Sequence, residues 1–167
     1  MPENPLISIV DDDESVRETT TGLMRSLGFA AQAYSSAEEF LASDWIARTA
    51  CLIVDVNMPG MTGLELCSRL VAMGQSIPTI VITAYPDERV RARALDAGVI
   101  CYLCKPFDEA DLRVCIGSAL AQAKRNESSA GLPDAAIGRG LALSQSPRCI
   151  RPGRSPPRCR AGNQRSS

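Results

Sequence analysis

Apolar positions along this chain follow two alternating rhythms. Short, largely apolar runs such as Leu6–Val10, Cys51–Val54 and Thr79–Ile82 are separated by longer stretches whose apolar residues fall three or four apart. The first rhythm is that of strands covered on both faces, and the second is that of amphipathic helices. In chain order the pattern predicts a strand over Leu6–Val10 and a helix over Glu14–Leu27 that ends at Gly28. A weaker strand over Phe29–Ala33 and a helix over Ser36–Ile46 follow. The strand Cys51–Asp55 leads to a helix over Thr62–Met73, stopped by Gly74. The strand Pro78–Thr83 leads to a helix over Pro86–Ala97, followed by Gly98, and the strand Val99–Cys104 leads to a helix over Asp108–Lys124. Ser36 with Glu39, and Thr62 with Glu65, have the spacing of capping boxes.

Strict alternation of strand and helix implies an α/β fold with a parallel sheet and helices on both faces. Right-handed crossovers leave a doubly wound three-layer sandwich. Such sheets gather ligands at the carboxyl ends of their strands. Asp55 closes the most apolar run at that edge, just before Val56-Asn57-Met58-Pro59-Gly60. The first strand runs at the same edge into Asp11-Asp12-Asp13-Glu14. Carboxylates crowded together repel unless a cation joins them, and an oxygen-only set with open positions suits Mg²⁺. A plain helix cap accounts for Asp13 or Glu14, but not for Asp55 on another strand. Thr83 ends the fourth strand and Lys105 follows the fifth. Each is ordinary alone, as a β-former and a surface lysine; together they bring a hydroxyl and an ammonium to the acids.

Composition adds three facts. Hydrophobic residues make up 45% of the 167, enough for a core, but aromatics only 4%, so aliphatic side chains must fill it. The net charge of -1 hides an asymmetry: from Asn126 onward seven arginines face two acids, a net of +5, which leaves -6 on residues 1–125. Residues 126–167 hold Pro147, Pro152, Pro156 and Pro157 without a sustained apolar period. They read as a disordered basic tail with at most a marginal helix at 135–143, and not as a domain. Cys51, Cys67, Cys101, Cys104 and Cys115 lie within apolar segments rather than in a disulfide framework. There is no leader-like opening and no apolar run of membrane-spanning length. These features point to a reducing cytoplasm.

These motifs resemble the receiver domain of two-component response regulators, a flavodoxin-like fold of the chemotaxis-regulator type with strand order 2-1-3-4-5. The matching pieces are Val10-Asp11-Asp12-Asp13, Val54-Asp55 through Met61-Thr62-Gly63, Val81-Ile82-Thr83-Ala84 and Lys105-Pro106-Phe107, over residues 5–123. Ser35–Leu41 and the Pro-Gly-Met-Thr-Gly turn resemble the nitrogen-fixation regulator branch. The resemblance implies that Asp55 accepts a phosphoryl group from a sensor histidine kinase. It implies that Asp11, Asp12, Asp55 and the Asn57 carbonyl hold Mg²⁺. Lys105 then pairs with Asp55 and the phosphoryl oxygens, Thr83 swings in to the phosphate, and Tyr102 follows it. The Lys105–Pro106 bond is expected to be cis. The chemistry is self-directed phosphorylation and dephosphorylation rather than enzyme turnover. The expected output is a changed protein surface, including a phosphorylation-dependent homodimer through the fourth helix, fifth strand and fifth helix. No sequence-specific nucleic-acid contact and no membrane contact is expected of this chain.

Other readings fare worse. Cys101 and Cys104 spell C-x-x-C, but on a strand they face opposite sides, which argues against a thioredoxin-like or zinc site. A haloacid-dehalogenase-type phosphatase wants D-x-D at its nucleophile, whereas Asp55 is followed by Val56-Asn57. A flavin binder wants a Ser/Thr-rich phosphate loop where this chain is acidic. Residues 126–167 cannot encode a helix-turn-helix, so the alternatives to a switching receiver are a stand-alone phosphate sink and a transcriptional regulator truncated before its DNA-binding part.

Overall fold

The computed structural model describes residues 4–130. Residues 131–167 of the tail, with the candidate helix at 135–143, lie outside these residues, while 126–130 continue the last helix. Five parallel strands form one sheet in the order β2-β1-β3-β4-β5, the doubly wound arrangement expected. They are β1 (Leu6–Val10), β2 (Ala30–Tyr34), β3 (Thr49–Asp55), β4 (Thr79–Thr83) and β5 (Cys101–Cys104). Between and after them come α1 (Glu14–Ser26), α2 (Ala37–Leu41), a 3₁₀ turn (Ile46–Arg48), α3 (Gly63–Ala72), α4 (Glu88–Asp96) and α5 (Glu109–Ala130).

The central strands are apolar throughout because both faces are covered. Alternate side chains of β3 divide between two cores. Leu52 and Val54 pack with Phe40, Leu66, Leu70 and Ala94 on one face of the sheet. Cys51 and Ile53 pack with Met24, Leu112, Ile116 and Ala119 on the other. Phe40, Leu52, Ile80 and Leu112 are wholly buried. At about 1.5–3 kcal/mol for each such side chain, these two layers hold the sheet together.

Several boundaries differ from those the sequence predicts, each for a local reason. The second helix stops at Leu41 instead of Ile46, because the Ser43 N–H and hydroxyl both bond the Phe40 carbonyl and close the turn. Ser36 caps it by accepting from the Glu39 N–H at 3.1 Å, but Glu39 bonds the N–H and hydroxyl of Ser35, so that box is not reciprocal. The Thr62–Glu65 box is complete. At α4 the cap is Asp87, which accepts from the Arg89 and Val90 N–H groups, so Pro86 precedes the cap rather than filling the first turn. The fifth strand begins at Cys101, since the Val99 N–H still bonds Ala94 at the end of α4. The last helix runs beyond Lys124 to Ala130. No Gly or Pro interrupts Arg125–Ala130, and the Asn126 amide reaches the carbonyl and hydroxyl of Ser76 at 3.4 Å each. No helix among the described residues is long and apolar enough to cross a membrane.

Candidate functional site

Strand register brings the acidic and basic residues together. Val10 pairs with Val54, Asp55 with Ile82, and Thr83 with Cys104. Asp11, Asp55, Thr83 and Lys105 therefore leave four neighbouring strands within two residues of the same level. Past the strand ends, the Val56 N–H bonds Ile82 at 2.9 Å and the Lys105 N–H bonds Thr83 at 2.8 Å, so the edge stays ordered. The Lys105–Pro106 peptide is cis.

The carboxylates of Asp11, Asp12 and Asp55 converge, with one oxygen from each lying within 4.8 Å of the others. Asp11 and Asp55 are buried, at 3% and 6% exposure, whereas Asp12 is exposed and open to solvent. Contacts within the β1–α1 segment help hold Asp11 in place. Its Oδ1 accepts the Asp13 N–H at 2.9 Å, and its carbonyl accepts from Arg17 Nη1 at 2.8 Å. Asp13 itself caps α1 through the Val16 N–H at 3.2 Å, so the bland reading of the acidic run holds for that one residue.

Lys105 Nζ lies 3.0 Å from Asp11 Oδ2 and 3.8 Å from Asp55 Oδ1. The expected partner, Asp55, is therefore the farther of the two, and Asp55 Oδ1 is buried without a hydrogen bond. Burial pushes the Asp55 carboxyl up to about 6; Lys105 pulls against that shift, and Asp11 adds to it by repulsion. The donors here are hard oxygens only, and one buried oxygen lacks a partner. That combination fits a hard divalent cation bridging the three acids.

Thr83 is fully buried and its hydroxyl is engaged away from Asp55. It accepts from the Asn57 side-chain amide at 3.1 Å and from the Tyr85 N–H at 3.1 Å, and donates to the Tyr85 carbonyl at 3.2 Å. Asn57, singled out in the sequence for its carbonyl alone, thus also carries a side-chain contact that sequence reasoning missed. Tyr102 is half-buried against the α2–α4 core, and its hydroxyl accepts from the Asp87 N–H at 3.5 Å.

Two further residues shape the loop after Asp55. Glu38 of α2 accepts the Met61 N–H at 3.1 Å and ties that loop to the body. Gly63 opens α3 where its backbone presses on that of Asp55; a Cβ there would collide with the Asp55 carbonyl oxygen. The glycine was visible in the Pro-Gly-Met-Thr-Gly turn, but its reason was not. Glu38 carried no signal in the sequence.

Residues 7–116 match the family model of the response regulator receiver domain. The response regulator protein TmoT of Ectopseudomonas mendocina is 38% identical over 77% of this chain and 58% of its own length. The transcriptional regulatory protein FixJ of Azorhizobium caulinodans is 35% identical over 73% of this chain and 58% of its own. This chain thus spans little more than half the length of those curated relatives. Among solved structures, the response regulator StyR superposes with a TM-score of 0.69 at 37% identity, covering 76% of this chain and 64% of that one. The N-terminal domain FixJ-N superposes with a TM-score of 0.65 at 33% identity, covering 71% and 95%.

Proposed function

The chain belongs to the response regulator receiver family of two-component signalling, close to the FixJ and TodT regulators, and from that premise we propose that Asp55 accepts a phosphoryl group from a sensor histidine kinase. The observation that carries this reading is Asp55 Oδ1, buried and unbonded beside Asp11, Asp12 and Lys105. A carboxylate oxygen attacks phosphorus, an O–P bond forms, the N–P bond of the phosphohistidine breaks, and the imidazole leaves with the bonding electrons. Receiver domains generally bind Mg²⁺. Asp11, Asp12, Asp55 and the Asn57 carbonyl would hold it here, where it supplies positive charge to the phosphoryl oxygens.

The chain's own groups do the rest. Lys105 has Asp11 and Asp55 both in reach and can follow charge from one to the other. Arg17 and the Asp13 N–H fix Asp11. Thr83 leaves Asn57 and Tyr85 to bond the new phosphoryl oxygen, and Tyr102 moves into the space it vacates. The switched surface is that of α4, β5 and α5, used for a homodimer or another protein partner. We read no turnover of a separate substrate, a cytoplasmic setting, and no sequence-specific DNA contact by this chain.

The test is incubation with acetyl phosphate and Mg²⁺. One acid-stable, base-labile phosphoryl group is expected, and Asp55→Asn should abolish it. Undiminished labelling of that variant refutes the assignment. A labelled protein whose mass in sedimentation and whose captured partners never change would instead be a phosphate sink.

A further inference from the structure

The first turn of α2 reaches toward both loops that carry the site's acids. Its glutamates, Glu38 and Glu39, are adjacent and exposed, yet each serves a different loop. Glu39 Oε2 accepts the N–H and the hydroxyl of Ser35, both at 2.7 Å. Ser35 follows Tyr34, whose carbonyl accepts the Asp11 N–H at 3.2 Å. Glu38 crosses to the other loop, where its Oε1 accepts the Met61 N–H at 3.1 Å. The same oxygen lies over Gly60: a Cβ there would stand 2.9 Å from it, and Gly60 takes a φ of +80° that favours glycine.

A carboxylate in the first turn of a helix is ordinarily accounted for by the helix dipole. That role needs no reach to Met61 and no bare glycine beneath the carboxylate. Ser36 already caps α2, by accepting the Glu39 N–H at 3.1 Å. On the far side of the Asn57–Met61 segment, Met58 is buried in the core and Met61 packs against it. Pro59 has no N–H with which to add a backbone tie. Glu38 therefore supplies a polar tie on the solvent side of a segment whose apolar side is already anchored.

We propose that Glu38 is a positioning residue for the cation site, holding the Asn57–Met61 segment in place for Mg²⁺ to bind. The proposal rests on the phosphoryl-acceptor reading above, in which the Asn57 carbonyl is one of the Mg²⁺ ligands. Glu38 acts through the backbone between Met61 and Asn57 and not on a reacting atom. Without the tie, Mg²⁺ has to order the segment as it binds, so affinity falls although every ligand is still present. What matters is an acceptor oxygen of the right reach. A carboxamide offers the same oxygen to the Met61 N–H, so glutamine replaces Glu38 and alanine does not.

Mg²⁺ affinity is measured by calorimetry on the unphosphorylated full chain, for wild type, Glu38→Ala, Glu38→Gln and Glu65→Ala. Glu65 completes the Thr62 capping box of α3, so its removal loosens the neighbouring helix and leaves the tie intact. Glu38→Ala should bind Mg²⁺ roughly 3–10-fold more weakly, the equivalent of one exposed hydrogen bond. Glu38→Gln and Glu65→Ala should bind it as wild type does. With acetyl phosphate, Glu38→Ala should label slowly at limiting Mg²⁺ and at the wild-type rate once Mg²⁺ saturates. Unchanged Mg²⁺ affinity in Glu38→Ala overturns the proposal. So does an equal loss in Glu65→Ala, which would mark general loosening, or in Glu38→Gln, which would mark a role for charge alone. A wild type that binds Mg²⁺ but takes no label refutes the phosphoryl reading, while the affinity series still decides the role of Glu38. A wild type that binds no Mg²⁺ overturns both.

Discussion

Replacing Asp55 by asparagine should stabilise the metal-free protein, and the amount follows from its burial. The carboxyl is pushed from 3.8 to about 6, chiefly by burial, against the pull of Lys105. A raised carboxyl means that the folded state binds the proton more tightly than the unfolded chain. Between pH 3.8 and about 6 the native protein holds more protons, so its stability falls as pH rises through that window. Above it the full cost of a buried charge is present, and below it none is. At about 1.36 kcal/mol per pH unit, that cost is about 3 kcal/mol. An amide of the same shape carries no charge, and Lys105 keeps Asp11 at 3.0 Å, so removing Asp55's charge does not strand the ammonium. Urea unfolding in EDTA should therefore show Asp55→Asn more stable near neutral pH by about 3 kcal/mol, a midpoint shift of about 1–3 M. The two proteins should converge below pH 3.8. Added Mg²⁺ should narrow the gap at neutral pH, because a cation that joins the three acids stabilises only the wild type in full. A variant no more stable than wild type near neutrality, or a gap that does not change with pH, would refute the reasoning.

Asn57→Ala removes one of the three bonds that keep Thr83 turned away, at 3.1 Å and worth about 0.5–1.5 kcal/mol. In the unphosphorylated variant the Thr83 methyl resonance should move toward its position in the beryllofluoride-bound protein; an unmoved resonance sinks the latch. Gly63→Ala drives a Cβ into the Asp55 carbonyl and should cost about 1–3 kcal/mol in urea unfolding, with slower phosphorylation. An unchanged midpoint would mean that α3 can back away freely. A chain ending at Arg125 loses the exposed Asn126–Ser76 contacts at 3.4 Å, so its stability should fall by less than about 1 kcal/mol while acetyl phosphate labels it at the full rate. A tenfold slower labelling would show that residues after Arg125 support the site.

Much of this molecule is written in local pattern. Strands buried on both faces must be apolar, and chain reversals need Gly, Pro or a cap, so Leu6–Val10, Cys51–Asp55 and Thr79–Thr83 stand out in the sequence. A parallel sheet then sends every strand's carboxyl end to one edge, which places Asp11, Asp55, Thr83 and Lys105 together before any coordinate is known. Tertiary structure alone decides which partner each of these takes. Lys105 lies closer to Asp11 than to Asp55, by 3.0 Å against 3.8 Å, although Asp55's strand β3 stands between β1 and β5 in the sheet. The Asn57 amide turns to Thr83, and the Glu39 carboxylate to Ser35 rather than Ser36. Burial follows from the period of a segment, which neighbouring residues carry. A hydrogen bond follows from fractions of an ångström between residues brought together only by the fold, and no spacing in the chain records that.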